Sequence, residues 1–527
     1  MYKILVCDPL SDEGLKILKK QKNFKVDIML KQSPEELKKI IGEYDALLVR
    51  SGTKVTEDII KHAKNLKVIG RAGVGLDNVD AAAATKKGII VMNTPGGNTI
   101  STAEHTMSLM LSLSRNIPQS DASMKSGAWD RKKFMGVELY GKVLGIIGLG
   151  RIGTEVSKRA LSFGMRVIAF DPFFTANKAA TSEIELVDLK KLFSLSDYIT
   201  VHTPLNNETR HIISKKEISM MKKGVRIINC ARGGIIDEKA VLEAIESGIV
   251  AGAAFDVYEN EPPKDSLLVK SPKVVATPHL GASTEEAQLN VAVEIASQVS
   301  DALLGKGIRN AVNIPNLDAS VWNVLKPYVI LTEKMGSMQS QLVDEPIKEV
   351  SITYSGDIVK HDTVAITTAF VKGLLTPVVG EMVNNVNATI LAEERGIKVI
   401  ESKTSQVEEF AHLITAKVTT KSKTSTISGA LFANNKPRIV KIDNYYVDVE
   451  PDGHMILISN KDLPGVVGQV GTLLAKSNIN IAAMTFGREK PGGRAVSICN
   501  VDSQVPEKLL NAIKKLKNIY DARLIEL

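Results

Sequence analysis

The stretch "GIIGLGRIGTEVSKRALSFGMRVIAFD", Gly145 to Asp171, decides the fold. It opens on a short apolar run, turns through Gly148, Gly150 and Gly153, carries Ile152, Val156 and Ala160 at helical spacing, and closes on a second apolar run ending in Asp171. A G-x-G-x-x-G by itself is a common turn. Here a strand precedes it and a helix and a second strand follow, the order that a dinucleotide-binding βαβ unit requires. In such a unit Gly148 permits the tight turn, Gly150 lets the backbone approach a pyrophosphate, and Gly153 lets the helix pack close to the strand. The helix start offers free N–H donors to phosphates. Asp171 is placed to accept from an adenosine ribose and to repel a 2′-phosphate, so NAD is expected rather than NADP.

Upstream, the Val/Ile-rich runs "YKILVCD", "FKVDIML", "ALLVR", "LKVIGRAG" and "GIIVMN" alternate with helical stretches, the pattern of a doubly wound parallel sheet. Downstream of the glycine turn a second such set runs through "YITVHT", "VRIINCA", "IVAGAAFDV" and "KVVATPHL". Two long helices are expected at the junctions, with capping boxes at Ser101/Glu104 and Ser283/Glu286. The spacing predicts a substrate-binding domain over 1–96 completed by 283–310, and a Rossmann domain over 97–282 with a cleft between them. Residues 311–450 read as an α+β domain with a turn at Asn434 and Asn435. Residues 451–527 read as a ferredoxin-like βαββαβ unit.

Composition narrows the function classes. The 527 residues carry a net charge of +8 and 44% hydrophobic content, with no long block of like charge, so several cores are expected and nucleic acid is not implied. Cys7, Cys230 and Cys499 form no C-x-x-C pair, which argues against a disulfide framework or a metal site and for a reducing cytoplasm. "MYKILVCDPL" reads as a strand rather than a secretory leader, and no membrane span is expected. The chemistry is sought in loops that open at the carboxyl edge of the second sheet. "NCARGG" brings Arg232 there, "FDVYENEPP" Asp256 and Glu261, and "TPHLGAST" His279. Taken singly these are an ion-pairing arginine, two loop acids and a loop histidine; their convergence is the informative feature.

Together "GLGRIG", "NCARGG", "FDVYENEPP" and "TPHLGAST" resemble the D-2-hydroxyacid dehydrogenases. "RSGTKV", "GRAGVGLDNVD", "NTPGGNTISTAEHT" and "WDRKKFMG" narrow the resemblance to the long-form branch with intervening and ACT domains. It implies NAD-dependent oxidation of 3-phospho-D-glycerate to 3-phosphohydroxypyruvate, the first step of L-serine biosynthesis. His279 is then the general base, Glu261 its partner, and Arg232 the clamp on the substrate carboxylate. Arg50, Ser51, Arg71, Asn98, Arg131 and Lys132 occupy substrate positions. Arg151, Ile152, Thr203, Cys230, Ala231, Asp256 and Gly281 occupy cofactor positions, as does Val74 where other members carry Thr. Cys230 has a bland reading as packing, since hydride transfer needs no thiol. The resemblance further implies L-serine as an effector near Asn460, Asp462 and Asn480, and a homodimer or homotetramer. Two alternatives remain at this point: a glyoxylate or hydroxypyruvate reductase on the same scaffold, and a non-catalytic NAD-sensing protein.

Overall fold

Short apolar runs buried on both faces build the first sheet, as parallel strands under helices require. It comprises β1 (Tyr2–Val6), β2 (Phe24–Ile28), β3 (Ala46–Val49), β4 (Val68–Arg71) and β5 (Ile90–Met92) in the order β2-β1-β3-β4-β5, all parallel, which is the flavodoxin-like winding. The structure is a computed structural model and describes residues 1–173, 183–315, 319–380, 382–404, 410 and 412–527.

The second sheet holds β6 (Val143–Ile147), β7 (Arg166–Phe170), β8 (Glu185–Leu186), β9 (Tyr198–Val201), β10 (Val225–Asn229), β11 (Val250–Phe255) and β12 (Val274–Ala276). Its order, β12-β11-β10-β9-β6-β7-β8, reverses direction between β6 and β9. That switch point is the Rossmann crevice, and the glycine turn lies at its mouth. Two helices join the sheets. Thr99–Arg115 leads into the second, and Glu285–Leu303 returns to pack on the Asp12–Lys19 helix and β4 of the first.

Both junction caps differ from expectation. Ser101 lies inside its helix, whose N-cap is Asn98 without a side-chain bond, and the returning helix is capped by Thr284, which accepts from the Ala287 amide at 3.2 Å, rather than by Ser283. A tertiary contact explains the first case. The Ser101 hydroxyl is 2.7 Å from that of Thr284, so it ties the two crossover helices together.

In the third unit the Glu349–Gly356 strand pairs in parallel with Lys398–Thr404 and antiparallel with His412–Thr419; Thr424–Phe432, Lys436–Ile442 and Tyr445–Val449 extend the sheet. Asn434 and Asn435 take left-handed φ values of 61° and 57° at the expected turn. The Ala319–Leu342 and Val364–Val379 helices cover one face. This unit grips the first lobe, where Asn384 and Asn387 donate to the Gly88 and Lys86 carbonyls at 2.9 and 3.4 Å, at the end of the Ala81–Lys86 helix.

The last unit is an antiparallel sheet in the order Ile481–Arg488, Arg494–Val501, His454–Lys461, Ile519–Glu526, with two helices, the expected ferredoxin-like arrangement. Its Met455, Val496, Ile498 and Ile525 sit in the same core as Leu331 and Ile352, so the third and fourth units are welded by apolar burial. Among the described residues no helix is long and apolar enough to cross a membrane.

Candidate active site

The loops after β4, β6, β9, β10, β11 and β12 meet at a cleft of about 460 Å³ between the two lobes. A larger hollow, about 580 Å³, lies against the Thr415, Thr426 and Lys441 strands of the third unit and shares none of these residues.

On the His279 side the backbone is held in an unusual state. His279 has φ 57°, a left-handed conformation uncommon for a residue with a side chain. Asp256 sustains it. Its carbonyl accepts the His279 amide at 2.9 Å, and its carboxylate accepts the Leu280 and Gly281 amides at 2.7 and 2.8 Å. The same carboxylate takes the Thr277 hydroxyl at 2.6 Å and His105 Nε2 at 3.2 Å. Burial works against the Asp256 charge, yet these donors hold its carboxyl below the usual range. Asp256 therefore lines the cleft as a brace, its acceptor sites largely spent on protein. Spacing alone singled out neither His105 nor Thr277; His105 sits within the Thr99–Arg115 helix, where an acid partner 151 positions away is invisible to local pattern.

His279 Nδ1 lies 2.8 Å from Glu261 Oε2. Glu261 also accepts the Tyr258 amide at 3.1 Å. Its partial burial disfavours charge, but the hydrogen bond and charge of His279, with that amide, hold the carboxyl below its ordinary value. An ionised carboxylate only accepts, so in the neutral ring the proton sits on Nδ1 and the lone pair on Nε2, whereas the charged ring carries a proton on both. Glu261 fixes the tautomer; Nε2 is the free base.

Arg232 follows β10, and its loop is pinned by buried Asn229, which accepts the Ala231 amide at 3.0 Å and donates to the Arg232 carbonyl at 2.9 Å. The guanidinium donates through Nη1 to the Ala231 carbonyl at 2.6 Å and through Nε to Asp77 of the opposite lobe at 3.0 Å. Two glycines make room for the arginines. A Cβ on Gly73 would overlap the Arg71 guanidinium, and one on Gly75 would overlap that of Arg232. Burial, and then the charges of Arg232 and Arg50, pull Arg71 down to about 10, so it stays protonated at neutral pH. Its Nε is buried without a partner. Burial likewise lowers Arg50, while the nearby Asp8 carboxylate is already engaged by the Arg50 and Thr53 amides and the Thr53 hydroxyl. Arg50 and Arg71 are half-buried, with Asp8 and Asp77 as nearby counter-charges but no carboxylate bonded directly to either guanidinium among the described residues, an arrangement that favours an anionic guest. Ser51 is exposed beside Arg50, and the Asn98 side-chain oxygen Oδ1 is buried, unpaired and at the cleft.

The cofactor half fits a dinucleotide on the structure's own terms. Gly148 has φ 97°, and a Cβ there would lie 2.7 Å from the His202 carbonyl oxygen; one on Gly153 would overlap the Gly148 carbonyl. A Cβ on Gly150 would meet nothing within 4 Å, so its backbone faces open space at the start of the Arg151–Ser162 helix. Asp171 accepts the Leu149 and Phe173 amides at 2.7 and 2.8 Å, which braces the turn and leaves lone pairs on both oxygens. Val74, Arg151, Ile152, Thr203, Cys230, Ala231 and Gly281 all line the cleft. Thr203 Oγ1 and His202 Nδ1 are buried there without partners. Burial pushes His202 down to about 4, hence neutral, and the Cys230 thiol up to about 12, hence protonated and inert.

The remaining candidates stand apart. Arg131 and Lys132 are exposed on a turn beside a separate hollow lined by Trp129 and Phe134, outside the cleft of their own chain. Asn460, which the resemblance places at the effector, is 5% exposed, accepts from the Ser497 hydroxyl and donates to the Lys461 carbonyl, both at 2.9 Å. Asp462 pairs with Arg488 at 3.2 Å, and Asn480 donates to Asp502 at 2.7 Å. Register puts Asn460 opposite Ala495 and Ile481 opposite Val501, so Asn460 and Asn480 lie at opposite ends of the sheet, roughly 20 Å apart at strand rise. Among the described residues no group of three or more metal-ligating side chains forms a site.

Comparison with known proteins agrees with this architecture. Family models match the D-isomer specific 2-hydroxyacid dehydrogenase NAD binding domain over 107–281, the D-3-phosphoglycerate dehydrogenase intervening domain over 324–443, and the ACT domain over 454–518. The D-3-phosphoglycerate dehydrogenase of Methanocaldococcus jannaschii is 47% identical over 100% of both chains, and that of Bacillus subtilis 44% over 100% of both. The chain belongs to the D-3-phosphoglycerate dehydrogenase family. A crystal structure of D-lactate dehydrogenase from Aquifex aeolicus, complexed with NAD and lactic acid, aligns with TM-score 0.51 at 28% identity over 57% of this chain and 96% of its own. As a member of the D-3-phosphoglycerate dehydrogenase family, the protein is an NAD-dependent oxidoreductase with an ACT domain.

Proposed function

We propose that the protein oxidises 3-phospho-D-glycerate to 3-phosphohydroxypyruvate, the entry to L-serine synthesis, in the cleft between its lobes. The observation that carries the reading is one cavity lined by His279 and Arg232, with Arg71 and Arg50 near enough behind the clamp for their charges to act on one another. NAD, when bound, accepts the hydride leaving C2.

The chain's own residues do the rest. His279 Nε2 takes the C2 hydroxyl proton, and Glu261 steadies the imidazolium that forms. Arg232 holds the carboxylate in two parallel bonds and so orients C2. Arg71 and Arg50 receive the phosphate, which an unphosphorylated hydroxy acid would leave unmatched. Asp171 selects the ribose and the glycine turn seats the pyrophosphate. The test is initial-rate NADH formation with 3-phospho-D-glycerate against D-glycerate. Rates favouring the phosphorylated substrate are expected, and equal rates would overturn the phosphate assignment in favour of a glyoxylate or hydroxypyruvate reductase.

The position of Arg131 supports a homo-oligomer, dimer or tetramer. The Ile117–Lys125 helix buries no residue, and Trp129 and Met135 beside it are 74% and 81% exposed. An apolar face of this kind suits a second copy of the chain, and Arg131 then serves the neighbour's cleft rather than its own. Arg131→Ala is expected to raise KM for 3-phospho-D-glycerate about tenfold and to leave KM for D-glycerate nearly unchanged, with Trp129→Glu reproducing the effect while reducing the oligomer in light scattering. L-serine fits the ACT unit between paired copies, where Asp462 of one chain meets Asn480 of another; calorimetry with L-serine on wild type and Asn480→Ala reads this directly. Three free, buried cysteines are consistent with a cytoplasmic setting.

A further inference from the structure

We propose that Asp77 is a positioning residue that sets the Arg232 guanidinium for the substrate carboxylate, acting across the cleft from the opposite lobe. The proposal rests on the reading of Arg232 as the carboxylate clamp.

The contact joins loops that are distant in sequence. Asp77 lies on the loop after β4, in the lobe that holds Arg50 and Arg71; Arg232 follows β10 in the other lobe, and Nε meets Asp77 Oδ2 at 3.0 Å. The Asp77 backbone is well anchored. Its neighbour Asn78 donates to both the Arg50 and Thr53 carbonyls at 2.6 Å and accepts the Val55 amide at 2.7 Å. Arg232 is thus aimed by a fixed point next to the phosphate-binding arginines.

Donor counting shows what this achieves. A guanidinium has five N–H groups. Asp77 takes the one on Nε and the Ala231 carbonyl takes one on Nη1. What remains is one N–H on Nη1 and two on Nη2, a terminal pair that a carboxylate meets in parallel bonds. Gly75 clears the space for this arrangement, since a Cβ there would overlap Nη2 and lie 2.7 Å from Asp77 Oδ2.

The charge of Asp77 makes the role separable from attraction. With a side chain 68% exposed, it is a poor source of stability, and an exposed pair of this kind is often silent when removed. It also repels an anionic substrate. Its loss makes the cleft more positive, so weaker electrostatic capture cannot explain a fall in turnover, whereas a mis-aimed clamp can.

The expected result for Asp77→Ala is a kcat about tenfold lower with KM for 3-phospho-D-glycerate unchanged or reduced, and calorimetric binding of 3-phospho-D-glycerate without NAD unchanged or tighter. Asp77→Asn, whose amide oxygen still accepts from Nε, is expected to recover kcat to within about threefold of wild type. In an Arg232→Lys background, Asp77→Ala should have no further effect on kcat, as a double-mutant cycle requires of coupled residues. Wild-type kcat in Asp77→Ala, a raised KM with kcat intact, or an Asn variant as impaired as Ala would each overturn the positioning role. Wild-type kcat/KM in Arg232→Lys would instead overturn the clamp itself, so the two failures are distinguishable.

Discussion

His279→Asn is expected to lower kcat about 10³-fold while NADH still binds with near wild-type affinity, read by fluorescence titration. General-base removal costs about 10²–10⁴ in rate. Asparagine is the chosen replacement because the backbone there has φ 57°, which Asn tolerates better than most side chains. The loop should therefore keep its shape, since the amides of 279, 280 and 281 remain bonded to Asp256. What disappears is the imidazole Nε2 lone pair, the site that accepts the hydroxyl proton. Retained turnover would remove His279 as the base, and lost NADH binding would show that the loop had collapsed instead.

Gly75→Ala is expected to lower kcat/KM for 3-phospho-D-glycerate by about 10²-fold with little change in Tm. Its φ is not in the left-handed region, so alanine meets no backbone penalty there, unlike Gly73 at φ 145°. The added methyl falls where the Arg232 guanidinium lies. The side chain must swing away, taking it off Asp77 and off the substrate carboxylate, and displacement of a positioning group by about 1 Å can cost 10²-fold. Circular dichroism and NADH binding at wild-type values, alongside the kinetic loss, would place the defect at the clamp; full activity would mean that Arg232 does not work from this position.

Much of the architecture was legible because it depends on short-range pattern. Runs such as "ALLV" and "YITV", buried at every position, announce parallel strands, and helical spacing between them announces crossovers. The glycine turn was legible for the same reason: three separate steric demands fall within six residues, and the structure meets each. The loops bearing Arg232, Glu261 and His279 could be assigned to one sheet edge from strand order alone.

Hydrogen-bond partners were not legible. Ser101 looks like a helix cap by spacing and instead bonds Thr284, 183 positions away. Asn460, named from the resemblance alone, is buried and accepts from Ser497, 37 positions away. Arg131 lies in a motif that the resemblance assigns to the substrate, yet it does not line its own chain's cleft.

By itself the sequence determined the fold class, the glycine cradle and the loops that carry the chemistry, because backbone sterics and hydrophobic periodicity act over a few residues at a time. Only the tertiary structure decided that Asp256 spends its carboxylate on the His279 loop, that Asp77 holds Arg232 from a lobe 155 residues distant, and that Gly73 and Gly75 are bare to admit two guanidiniums. These are pairings of polar groups across separate elements, and each group's partner is set by which surfaces the burial of apolar area brings together, a quantity that no local spacing encodes.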